Sequence, residues 1–143
     1  MTISDVNPIP QMFSRWWLLF FGFILVPFGI AYLAAANRVE FAQGGLVATG
    51  IIWLLVAVIA LYIGFAVRDA KVVRWSAGII GGLFFAWGII YLYTGPSLAT
   101  IAAATVMSTV GGLLILMGAL GLAAAIVPAN YLYEEHERRT MAT

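Results

Sequence analysis

GGLVATGIIWLLVAVIALYIGFAV, residues 44–67, decides the fold. The stretch holds no charge and shows no alternation of apolar and polar positions. A continuous apolar run of this length reads as a helix crossing about 30 Å of hydrocarbon at 1.5 Å per residue. Strands are excluded because backbone groups in lipid must find their partners within the segment. Three further stretches, 16–36, 77–93 and 98–127, have the same character. The fold class is therefore an all-α integral membrane protein with four transmembrane helices.

Composition agrees. Of 143 residues, 64% are hydrophobic and 9% charged, with a mean hydropathy of +1.04. A water-soluble chain this small has no core large enough for that much apolar surface. The net charge of +1 implies no polyanionic partner and no nucleic acid. With no cysteine, disulfide scaffolds and thiol chemistry are excluded. The small residues Ala34, Ala35 and Ala36 behind the first run resemble a signal-peptide cleavage site, but the run is too long and too bulky for one.

All seven basic and six acidic residues fall outside the four apolar spans. With both termini in the cytoplasm, Arg15, Arg68, Lys71, Arg74, Arg138 and Arg139 lie inside and only Arg38 outside. The positive-inside rule thus selects N-in, C-in. Trp16, Trp17 and Trp75 are read as anchors at the inner boundary, Tyr91 and Tyr93 as anchors at the outer one. The organisation expected is a cytoplasmic segment 1–15, a bundle 16–127 and a cytoplasmic tail 128–143. Within the tail, Glu134/Arg138 and Glu135/Arg139 are spaced for a short helix over 129–139.

Sliding the chain against itself gives an internal match at an offset of 59 residues. Arg15-Trp16 falls on Arg74-Trp75, Gly29-Ile30 on Gly88-Ile89, Tyr32-Leu33 on Tyr91-Leu92 and Leu54-Leu55 on Leu113-Leu114. Two tandem parallel helical hairpins, 15–67 and 74–126, are the expectation. That alignment trims the long fourth run to a bilayer part near 103–127.

In lipid, helices associate through small residues that let backbones approach. Gly78, Gly82 and Ala86 form a ridge at four-residue spacing, as do Thr100, Ala104, Ser108 and Gly112. These are the candidate packing or partner-facing residues. Pro27 is expected to kink the first helix. Arg68, Lys71 and Arg74 are the candidates for contact with lipid headgroups or a cytoplasmic partner.

The spans contain no Asp, Glu, Lys, Arg, His, Asn or Gln. Ion-coupled carriers normally keep an ionisable residue in the membrane. No catalytic, cofactor-binding or metal-binding residue is therefore assigned, and no cofactor. His136 is read as solvated, Met107 and Met117 as core filler, and Tyr32 with Tyr91 as belt anchors. The expectation is a non-catalytic accessory subunit of a larger complex in a prokaryotic inner membrane, not an enzyme. Respiratory or other redox assemblies and membrane monooxygenases carry small helical subunits of this kind. The partners are then the lipid bilayer and other membrane subunits. The alternative is a small homo-oligomeric transporter or channel, with Thr100 to Thr109 as its only polar face.

Overall fold

The computed structural model describes residues 13–38, 43–94 and 101–126, the side chains of 101–104 excepted. These residues form four helices and no strand: α1 (Phe13–Ala36), α2 (Gln43–Ala66), α3 (Ala70–Thr94) and α4 (Ile101–Ile126). All four contain a stretch long and apolar enough to span a membrane. The expected helix over 129–139 lies outside the described residues.

Two helices, α1 and α3, begin well before their apolar spans. The clearest case is α3, which begins at Ala70 rather than at 77. Asp69 explains the earlier start. Its carboxylate oxygen Oδ1 accepts the Lys71 amide at 2.9 Å, and its carbonyl accepts the Val73 amide at 3.1 Å. Such an N-cap satisfies amides that have no partner in the first turn. Lys71 and Arg74 therefore lie on a helix, and the link between α2 and α3 shrinks to residues 67–69. Pro27 lies on the exposed face of α1, which runs unbroken past it as one helix.

The chain pairs helices in sequence order, α1 with α2 and α3 with α4. Both seams are built of small residues seven apart. Gly22 faces Ala57 and Gly29 faces Gly50, while Gly81 faces Gly118 and Gly121 and Gly88 faces Gly111. A methyl group placed on Gly88 would lie 2.6 Å from the Gly111 carbonyl oxygen, and one on Gly118 2.5 Å from the Phe85 nitrogen. The backbones touch there, and dispersion between them replaces the hydrophobic drive that lipid does not supply.

The buried faces coincide at fixed offsets. In α1, Ser14, Leu18, Phe21, Gly22, Leu25 and Gly29 are buried. In α3, the residues 59 further on, Val73, Ala77, Ile80, Gly81, Phe84 and Gly88, are buried too. For the second helices the offset is 61. Gly50, Trp53, Ala57 and Ala60 of α2 correspond to buried Gly111, Leu114, Gly118 and Gly121 of α4. At an offset of 59, Gly50, Ala57 and Ala60 would instead meet exposed Thr109, Leu116 and Ala119.

Between the two hairpins the core is aromatic. Trp17 stacks on Phe21 with ring centres 4.7 Å apart, and Phe21 meets Phe84 edge-on at 4.9 Å. Phe84 contacts Trp53 and Trp87, and Trp53 contacts Tyr32. The outer faces carry exposed Phe20, Phe23, Leu55, Val58, Phe65, Leu83, Ile90 and Leu116. Apolar surface this extensive on every helix is what a lipid solvent demands. The chain is a multi-pass membrane protein.

Candidate functional site

Each hairpin carries an arginine near the start of its first helix, and each arginine reaches the end of its second. Arg15 Nη1 donates to the Gly64 carbonyl at 2.6 Å and Nη2 to the Val67 carbonyl at 2.5 Å. Arg74 Nε donates to the Ala125 carbonyl at 3.0 Å and Nη2 to the Ile126 carbonyl at 3.4 Å. The last carbonyls of a helix lack intrahelical partners and sit at the negative end of its dipole, so a cation there is doubly favoured. The planar guanidinium presents its donors in a fixed fork, so less order is lost in reaching two carbonyls than with a flexible ammonium.

The two clamps differ in depth. Arg15 is 5% exposed, whereas Arg74 is half-buried with its second bond in the open. Arg74, a candidate for contact with headgroups or a partner, has part of its guanidinium held by α4. Arg68 and Lys71 are exposed, as that expectation requires.

At the other end, Tyr32 and Tyr91 meet. Their hydroxyls are 3.1 Å apart, and either can donate. Tyr32 also packs edge-on against Trp53 at 4.9 Å, and Tyr91 against Trp87 at 6.3 Å. The belt reading of these two tyrosines is therefore corrected: each turns towards its counterpart, because two half-buried hydroxyls satisfy one another better than lipid could. Trp17 is corrected in the same way. It is 4% exposed, donates its indole N–H to the Met117 carbonyl at 3.0 Å, and lies over Gly121. Trp16 and Trp75 remain exposed, as interfacial anchors would be.

Among the described residues, those of the four-spaced ridges lie beside the closest helix contacts rather than in them. Gly78 lies against Ala125, a methyl on Gly82 would touch only Leu122 at 3.6 Å, and one on Gly112 would meet nothing within 4 Å. Ala86 is exposed and Ser108 half-buried. Thr100 and the side chain of Ala104 lie outside the described residues. The seam residues Gly22, Gly29, Gly81, Gly88, Gly111 and Gly118 were missed, although the signal was present as small residues seven apart. Seven-residue spacing marks a left-handed crossing, and four-residue spacing the right-handed alternative.

Two buried polar atoms, Ser14 Oγ and Trp53 Nε1, have no hydrogen-bond partner among the described residues. Trp53 is enclosed by the rings of Phe28, Tyr32, Phe84 and Trp87. Among the described residues, no group of three His, Cys, Asp or Glu side chains comes together. Compared with protein-family models, with curated proteins and with solved structures, the chain finds no match in any of the three.

Proposed function

We propose that the chain is a non-catalytic accessory subunit of a larger membrane protein complex, of the kind carried by respiratory and other redox assemblies and by membrane monooxygenases. It sits in the cytoplasmic membrane of a prokaryote with both termini inside, among lipid and other membrane subunits, and meets no nucleic acid. The observation that carries this reading is the filled axis. Trp17, Phe21, Phe84, Trp53, Trp87, Tyr91 and Tyr32 form one connected set of ring contacts, closed by the tyrosine hydroxyl pair. A bundle whose centre is solid aromatic packing presents its outer faces as the working surface.

A tandem origin for the two hairpins, 15–67 and 74–126, belongs to the same reading. It is supported by the two arginine clamps, by the coincidence of buried faces at offsets of 59 and 61, and by the meeting of Tyr32 with Tyr91, which are themselves 59 apart. Parallel repeats related by an axis along the membrane normal bring equivalent residues of their first helices together in this way.

Gentle extraction from the native membrane, followed by native electrophoresis and mass spectrometry of the band, tests the proposal. Co-migration with larger subunits supports it and names the complex. A homo-oligomer without partners sinks it. One feature favours a second reading as a homo-oligomeric transporter or channel: Thr105, Thr109 and Gly112 are exposed on α4, so a path lined by hydroxyls would run between copies. Saturable flux in liposomes containing only this protein is the result that reading requires.

A further inference from the structure

The two hairpins differ at one place in a way that opens a site. In the first, the Leu19 side chain fills the space beside Gly64: a methyl on Gly64 would lie 2.5 Å from Leu19 Cδ2. The offsets that superpose the buried faces set Leu19 on Gly78 and Gly64 on Ala125. At Gly78 there is no side chain to fill that space. The flanking residues shrink as well, Phe20 becoming Ile79 and Phe65 becoming Ile126. The result is a groove of about 740 Å³ between α3 and α4, on the outer face of the second hairpin.

Its ends differ in chemistry. Gly78, Ile79 and Leu122 make an apolar trough, while Lys71 and Arg74 stand at its mouth beside Trp75 and Ile126. Arg74 uses Nε and Nη2 on the last carbonyls of α4, which leaves Nη1 as a donor. Among the described residues, Asp69 is the acidic residue beside this mouth, and its carboxylate is turned back onto the Lys71 amide. With Arg68 next to it, the local balance among the described residues is three cations to one anion. Trp75 is 65% exposed, in keeping with a residue at the level of the headgroups.

We propose that this groove holds one anionic phospholipid, its phosphate between Lys71 and Arg74 and one acyl chain laid along Gly78, Ile79 and Leu122. From Lys71 to Ile79 the helix advances about 12 Å at 1.5 Å per residue, enough to cover the glycerol and the first part of an acyl chain. The guanidinium supplies directional bonds to a phosphate oxygen and the ammonium a point charge. The first hairpin cannot bind lipid in this way, because Leu19 occupies the space beside Gly64 and Arg15 is buried. The site requires only a bilayer and is independent of the accessory-subunit reading.

The test is lipid retention by the full chain. The protein is reconstituted in nanodiscs of equal parts phosphatidylglycerol and phosphatidylcholine, re-extracted in mild detergent, and its bound lipid read by native mass spectrometry. One phosphatidylglycerol per chain is expected, with phosphatidylcholine lost. Gly78→Leu combined with Ala125→Gly restores the Leu19–Gly64 pair of the first hairpin and avoids the clash a lone leucine would make with the Ala125 methyl, 2.9 Å from a carbon at Gly78. Retention then falls about tenfold with an unchanged thermal midpoint. Should that pair fail to fold, Ile79→Phe, on the exposed face of α3, fills the same trough and carries the same expectation. Lys71→Gln lowers retention about fivefold, equivalent to roughly 1 kcal/mol for one basic residue near the surface. Equal retention of both lipids, or undiminished phosphatidylglycerol in the filled-trough variants, overturns the proposal. So does a wild-type chain that retains none; if deletion of residues 128–143 then restores retention, the groove belongs to the chain's own tail.

Discussion

At the residue scale, the informative side chains are the arginines and tyrosines that find their own equivalents or their own hairpin. Arg15 makes two charged hydrogen bonds in a buried setting, each of a kind worth about 1.5–3 kcal/mol. Arg15→Gln should therefore lower unfolding free energy by about 2–3 kcal/mol in a detergent titration, and Arg74→Gln by about 1 kcal/mol or less, since its longer bond is open to exchange. Arg15→Lys should not restore stability, because Gly64 and Val67 present two carbonyls to a fork. For the tyrosines, a double-mutant cycle between Tyr32→Phe and Tyr91→Phe should return a coupling of about 0.6 kcal/mol, the average for hydrogen bonds inside membranes. The double variant should be less destabilised than the sum of the singles, since removing both hydroxyls strands neither.

At the element scale, the seams set the register, and here glycine is a contact residue. Gly118→Ala should cost about 1–3 kcal/mol, because its methyl would overlap the Phe85 backbone and the helices would have to part. Gly112→Ala faces open space and should be neutral or stabilising by up to about 1 kcal/mol in the same titration. The existence and order of the four helices were legible, because lipid imposes long charge-free runs that no other element imitates. The match between the buried faces of α1 and α3 was legible too, since Arg-Trp and the spaced glycines recur in both helices. That of α2 on α4 was not. The leucine identities at an offset of 59 place half-buried Leu54 on exposed Leu113 and exposed Leu55 on buried Leu114, so they follow membrane composition rather than a shared face. An ungapped comparison has no means of admitting a change of offset by two residues between the first and second helix of a hairpin. The arginine clamps were also hidden, since a basic residue beside an apolar span reads as a topology marker whether or not it folds back onto a carbonyl.

At the scale of the whole molecule, orientation and assembly are open to direct measurement. The absence of cysteine gives a silent background for single-site labelling. Asn37→Cys, in the exposed turn after α1, should react with an impermeant maleimide added outside intact cells, and Arg68→Cys, between α2 and α3, only after permeabilisation. The opposite pattern would refute an N-in topology. The clamps also have a temporal meaning. Each arginine bond joins residues of one hairpin, whereas the Trp17 indole reaches Met117 in the other. A nascent chain can thus quiet the polar end of its second helix before the third has left the ribosome. Insertion should then proceed in two self-sufficient strokes, with only the docking of finished hairpins through their aromatic faces waiting for the complete polypeptide.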